Sequence, residues 1–266
     1  MLSHASLPSP YGPMHYVECG SGEPVLLLHQ TPRSWTEYLE VLPHIGARHR
    51  AIALDTLGFG DSPRPPQPYS IELFADGADA VIAGLGLERF HLVGHHTGGV
   101  IAVELAARHP DRVASLVLSG TPFVDEEKRR TAAGREPIDL VHPKPDGSHL
   151  VDLWNRRRRF YHEGEEAALH RFVVDAIKAL DRVEEGHEAV RRYRLDERVT
   201  EVRARTLAIC GAEDHYSMPA LEKFAKALGC PTVAVPDAGV PLPEQRPAEF
   251  ARLVLETVAG SPALGA

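Results

Sequence analysis

The chemistry-bearing residues cluster around Leu92 to Gly99, LVGHHTGG. A G-x-S-x-G pattern between a strand and a helix sets its central residue on a tight, strained turn. Small flanking residues let the backbone turn, and the central side chain is presented at the helix N-terminus. Gly94 and Gly98 fit the two glycine positions, but the central residue is His96 rather than serine. An imidazole there offers a general base or an acylable nitrogen in place of a hydroxyl nucleophile. Fifteen histidines are many for 266 residues, and His95 and His96 are adjacent. Cys19, Cys210 and Cys230 are widely spaced, so no metal-ligand pattern arises from them and packing is the expected role. No ligand-spacing motif joins the histidines into a zinc site, and no metal or cofactor is expected.

The elements that must position these residues alternate along the chain. Short apolar runs at Pro24–Leu28, Arg50–Leu54, Phe90–Val93, Ser115–Leu118, Thr206–Ile209 and Thr232–Val235 suit strands buried on both faces of a parallel sheet. Helical periodicity falls at Ile71–Leu85, Val100–Arg108, Ala220–Leu228 and Ala248–Val258. This alternation predicts an α/β fold, a mostly parallel sheet with helices on both faces. Ligands of such sheets sit beyond the carboxyl ends of the strands. Residues 122–199 break the pattern with a proline-bearing loop and charged helical segments. They are expected to form a helical cap over a core made of 1–121 and 200–266. Arg156 to Arg159 read as a solvated helix face, and Trp154, Phe160 and Tyr161 as packing residues with a share in the pocket roof.

Five segments, in order, resemble the α/β-hydrolase fold family along nearly the whole chain. They are LLLHQTPRSW, LDTLGFGDSPRP, VGHHTGG, ICGAEDHYSMP and PDAGVPLPEQRPAEF. The resemblance implies a degenerate triad. His96 holds the nucleophile position, Asp214 the acid position and Val240 the histidine position. It further implies oxyanion donors at the backbone N–H of Thr31 and Thr97, a structural His29, and a Thr31–Pro32 bond that is often cis in the family. Gln30 stands where the loop usually has glycine.

Serine-nucleophile chemistry needs a base beside the hydroxyl, and both are missing at their places. With Val240 opening room beside the acid, His96 can reach Asp214 and form a base for water-mediated hydrolysis or for a lyase or isomerase proton transfer. A nucleophilic His96 and a base at His215 are the lesser enzymatic readings. The alternative class is a non-catalytic small-molecule-binding protein on a retired hydrolase scaffold, because a fold alone does not fix a function.

Composition bounds the rest. A net charge of −8, from 29 basic and 37 acidic residues, disfavours nucleic acid and anionic membrane as partners. No apolar run approaches the roughly 20 residues of a membrane span, and no basic-then-apolar leader opens the chain. The expected protein is cytoplasmic, takes a small-molecule partner, and leaves a homodimer open.

Overall fold

The structure is a computed structural model that describes residues 1–132 and 136–260. Residues 133–135 of the expected cap and 261–266 of the expected core lie outside the described residues.

Eight strands form one sheet: β1 (Ser3–Leu7), β2 (Met14–Cys19), β3 (Pro24–Leu28), β4 (Arg50–Leu54), β5 (Phe90–His95), β6 (Val113–Ser119), β7 (Arg205–Gly211) and β8 (Thr232–Val235). Their order is β1-β2-β4-β3-β5-β6-β7-β8. β1 and β2 pair antiparallel, as do β2 and β4, and all later pairs are parallel. The period of two explains why the parallel strands read as continuous apolar runs. Val25 and Leu27 of β3 join one core layer, and Leu26 and Leu28 join the opposite one. Ala51 and Ala53 of β4 alternate with Ile52 and Leu54 in the same way. Fully burying a side chain of this size is worth about 1.5–3 kcal/mol, so each strand is anchored from both sides.

The antiparallel pair at the N-terminus was not anticipated from the sequence. β1 is an edge strand with mostly exposed side chains, and its SHASL run carries no apolar alternation.

Eleven helices lie among the described residues. On the core they are α1 (Leu42–Gly46), α2 (Ile71–Gly84) and α3 (Thr97–Arg108). Between β6 and β7 come α4 (Glu126–Ala132), α5 (Ser148–Arg158), α6 (Glu166–Ala179), α7 (Glu185–Arg192) and α8 (Leu195–Arg198). The last three are α9 (Met218–Leu228), α10 (Leu242–Gln245) and α11 (Pro247–Ala259). The Ser70 hydroxyl accepts from the Leu73 N–H at 3.1 Å and starts α2 as an N-cap, an interaction typically worth about 1 kcal/mol. α3 has no such cap, because its N-cap residue is His96, whose side chain is turned elsewhere. β5 and α3 thus leave the elbow residue at the carboxyl edge of the sheet, below the helices between β6 and β7.

Candidate active site

The elbow is built as the glycine spacing requires. His96 sits at φ 47°, ψ −111°, a conformation that side chains other than glycine's avoid. Its N–H donates to the Ser119 carbonyl at 2.9 Å, and its carbonyl accepts from Gly99 and Val100 at the start of α3. A Cβ on Gly94 would fall 2.3 Å from the Gly98 carbonyl oxygen, and one on Gly98 would fall 1.9 Å from that of Leu28. The two glycines allow this close approach of helix to strand.

From that turn the imidazole reaches the acid. His96 Nε2 lies 3.1 Å from Asp214 Oδ2, with 18% of the His96 side chain and 1% of the Asp214 side chain exposed. Nε2 and Oδ2 are close but not aligned as a good hydrogen bond, so the contact is a short polar approach. Nδ1 of His96 has no hydrogen bond among the described residues. Asp214 is fixed from its other side, where Oδ1 accepts from the backbone N–H of Tyr216 and of Ser217, each at 3.1 Å. Burial alone would raise its pKa. His96 and the Ser217 donors outweigh burial and bring it down to about 2, so the carboxyl is ionised at neutral pH.

Part of the room for the imidazole comes from Gly120, just past β6. A Cβ there would stand 2.8 Å from His96 Nε2 and 3.3 Å from Asp214 Oδ2. Gly120 adds to the space expected from Val240 a second contribution that the sequence did not point to. Val240 lines the same pocket, but its loop is held by its carbonyl, which accepts from His95 Nε2 at 2.8 Å. His95 Nδ1 meets Ser119 Oγ at 2.9 Å, so both of its ring nitrogens are used in packing. Burial, and then the neighbouring His96, push its pKa well below the usual imidazole range and keep it neutral.

The loop after β3 is equally determined. The Thr31–Pro32 bond is cis, as the resemblance implied. His29 donates from Nδ1 to the Gln30 carbonyl at 2.8 Å and accepts at Nε2 from the Thr56 N–H at 3.0 Å, which assigns its tautomer and a structural role. Gln30 is buried and is held by Glu37, which accepts from the Gln30 N–H at 2.9 Å and from Nε2 at 2.6 Å. The Thr31 N–H does not point freely into the pocket. It faces Thr97 Oγ1 at 3.4 Å, a long contact that a substrate oxygen would have to displace. The Thr97 N–H heads α3, where the first N–H groups of a helix lack intrahelical partners. His215 is exposed and stands apart from the pocket.

Above these residues lies a pocket of about 360 Å³. Its floor includes Gln30, Thr31, His96, Thr97 and Val240, and its roof comes from the helices between β6 and β7. Phe160 lines it, whereas Tyr161 is buried and Trp154 packs against the core. Sequence reasoning missed Gly120, Glu37 and Arg33. Arg33 is fully buried and binds Asp175 of α6 and Glu244 of α10. Gly120 and Glu37 lie outside the motif segments, Arg33 lies within LLLHQTPRSW without a marked role, and only their tertiary contacts single them out.

Comparison with known proteins agrees with the fold. The profile described as alpha/beta hydrolase fold matches residues 23–241, and the chain belongs to that family. Among its relatives, 2-hydroxymuconate semialdehyde hydrolase of Pseudomonas sp. (strain CF600) is 39% identical over 111 residues, 40% of this chain and 39% of that protein. Bifunctional epoxide hydrolase 2 of Sus scrofa is 35% identical over 135 residues, 50% of this chain and 23% of that protein. The chain therefore matches less than half the length of either relative. Among solved structures, a bacterial membrane phospholipase A superposes with a TM-score of 0.80 at 26% identity, covering 97% of this chain and 86% of that one. An esterase from Thermogutta terrifontis superposes at 0.75 with 22% identity, covering 98% and 100%, a likeness of fold alone. Among the described residues no helix is long and apolar enough to cross a membrane.

Proposed function

We propose that this chain is an enzyme that acts on a small organic molecule without a serine nucleophile, with His96 and Asp214 as its general-base pair. The observation that carries the reading is the 3.1 Å approach of His96 Nε2 to Asp214 Oδ2 on the pocket floor, with Nδ1 left unengaged. An ionised Asp214 favours the tautomer with its proton on Nε2, which leaves the Nδ1 lone pair as the base. Nδ1 would take a proton from water as the oxygen bonds an electrophilic carbon, or take a substrate proton in a lyase or isomerase step. The Thr97 N–H and, once released from Thr97 Oγ1, the Thr31 N–H would stabilise the developing oxyanion. Residues 122–199 act in this reading as a cap that limits access of water. No cofactor is required, and the proposed partner is a small molecule in the cytoplasm.

The reading is tested by turnover of a panel of small esters, lactones, epoxides and enol lactones by wild type and His96→Ala. Loss of a positioned base should cost about 10²- to 10⁴-fold with the fold intact. Fluorophosphonate probes should label no pocket serine. A His96→Ala protein as fast as wild type would end the proposal, as would a stable adduct on Ser217.

One observation favours the second reading, a ligand-binding protein without turnover. The Thr31 N–H is occupied by Thr97 Oγ1, so one of the two oxyanion positions is closed in this conformation. If panel compounds bind and none is converted, that reading replaces the first.

A further inference from the structure

The end of α5 reads in sequence as a solvated basic face, but the structure divides it. Arg157 turns inward and is only 7% exposed. It clasps Asp139 with two donors, Nε to Oδ1 at 2.5 Å and Nη2 to Oδ2, and its guanidinium stacks 4.7 Å from the Phe172 ring centroid. Arg159 lines the same pocket as His96. Its guanidinium lies 4.9 Å from the centroid of Phe160, another pocket residue. Arg159 is exposed at the pocket edge, and among the described residues no carboxylate and no hydrogen bond reaches its side chain, while its backbone N–H donates to the Arg157 carbonyl.

The charge of the lining is one-sided. Among the described residues, Lys128, Arg157, Arg159 and Arg191 border the pocket, against Glu136 as the one acidic lining residue. This is the reverse of the whole chain, which carries a net charge of −8. Arg157 is matched by Asp139, and Arg191 by Glu188 and, at 3.9 Å, by Glu184. Arg159 is thus a cation held beside an aromatic ring with its donor fork unused. The walls between it and the floor are apolar, with Pro122, Val124, Ile138, Val190 and Val240.

We infer that the pocket takes a monoanionic carboxylate with a short apolar body, its carboxylate on Arg159 at the roof and its reacting carbon over His96. The assignment of the second half rests on the general-base reading above. The first half stands on the pocket itself. A planar guanidinium offers two parallel N–H donors that match a carboxylate. Stacking on Phe160 limits the freedom the side chain would otherwise lose on binding. A phosphate dianion would set two charges against the single Arg159 guanidinium.

The test is calorimetric binding of 3-phenylpropanoate and of its uncharged amide, 3-phenylpropanamide, to the whole chain. Wild type and His96→Ala should both prefer the acid by about tenfold, and added salt should weaken that preference. Arg159→Gln should lose about threefold to tenfold in acid affinity while its amide affinity stays unchanged. Equal affinity for acid and amide in wild type, no binding of the acid, a preference that survives in Arg159→Gln, or tighter binding of phenyl phosphate would each overturn the inference. Turnover reads the general base separately. If His96→Ala keeps its turnover and its acid preference, the base proposal fails and the carboxylate site stands.

Discussion

Two groups of buried charges lie on either side of the loop after β3, and they are finished differently. Behind the loop, Arg33 donates from Nε to Asp175 at 3.0 Å and from Nη1 and Nη2 to Glu244 at 2.6 and 3.0 Å. Asp175 also accepts from the hydroxyls of Ser34 and Thr36, and Glu244 from Arg171. In front of it, His96 and Asp214 meet at 3.1 Å with poor alignment, on a strained turn, and with one ring nitrogen unused. A satisfied buried network rigidifies the structure around it. Here it ties α6 and α10 to the loop that carries Gln30 and Thr31. A half-satisfied pair at the foot of a pocket does nothing comparable for stability, and its open valence suits a ligand. The comparison separates charges that hold the molecule together from charges held ready by it.

The largest expected effect lies in the first group. Arg33→Ala leaves Asp175 and Glu244 buried without their main cation and should cost about 3–5 kcal/mol in urea denaturation. A loss below about 1 kcal/mol would mean that the cluster is not the fastening it appears from its bonds.

The two groups should also respond oppositely to pH. Asp214 is held at about 2, below the ordinary 3.8, so its contribution is present above about pH 4 and is lost as pH falls through about 2. It amounts to about 2 kcal/mol, and Asp214→Asn should flatten the acid limb of the stability curve by that amount. Glu37 is raised from 4.5 to about 8, chiefly by burial, with Arg33 and the Gln30 donors opposing. Its contribution is therefore present below about pH 4.5 and is lost as pH rises through about 8. Glu37→Gln should be relatively more stable than wild type at pH 8, by on the order of 4 kcal/mol, and the difference should shrink toward pH 5. Parallel stability curves for both variants and wild type would remove the contrast.

Gly120→Ala sharpens the front half alone. The new Cβ would crowd His96 Nε2 at 2.8 Å, and residue 120 has φ +52°. The imidazole should shift from Asp214 and turnover should fall about tenfold or more, as for other misplaced catalytic groups. Strain at the positive φ should cost about 1–2 kcal/mol of stability. An unchanged rate would show that the close approach is dispensable.

The smallest net effect is at His96 itself. His96→Gly relieves the strain at φ 47° but removes the partner of Asp214 and loosens the unfolded chain, so stability at neutral pH should fall by about 1 kcal/mol while the base is lost. A gain of stability instead would mean that the strain outweighs the His96 contact with Asp214.

Much of the core was legible in the order of residues because its signals are local. β3, β4 and β8 have the bounds expected from their apolar runs, and α2 and α11 differ by a residue or so at their ends. Adjacent glycines dictate the turn at His96, and strands buried on both faces must be continuously apolar. The position of Asp214 just past β7 came from the resemblance of ICGAEDHYSMP to the family's acid-bearing segment. β1 escaped notice because an exposed edge strand has no need for apolar alternation.

What sits around the pair was settled only in three dimensions. The space for the His96 ring depends in part on Gly120, a single glycine outside any motif. The direction of Arg157 depends on Asp139, which meets it from a different stretch of the chain, and a run of four arginines cannot reveal which one turns inward. Periodicity and spacing determine backbone elements, because those are stabilised by neighbours a few positions away. The partner of a long charged side chain is set by which distant segments the sheet brings to its carboxyl edge, and that is decided when the layers pack.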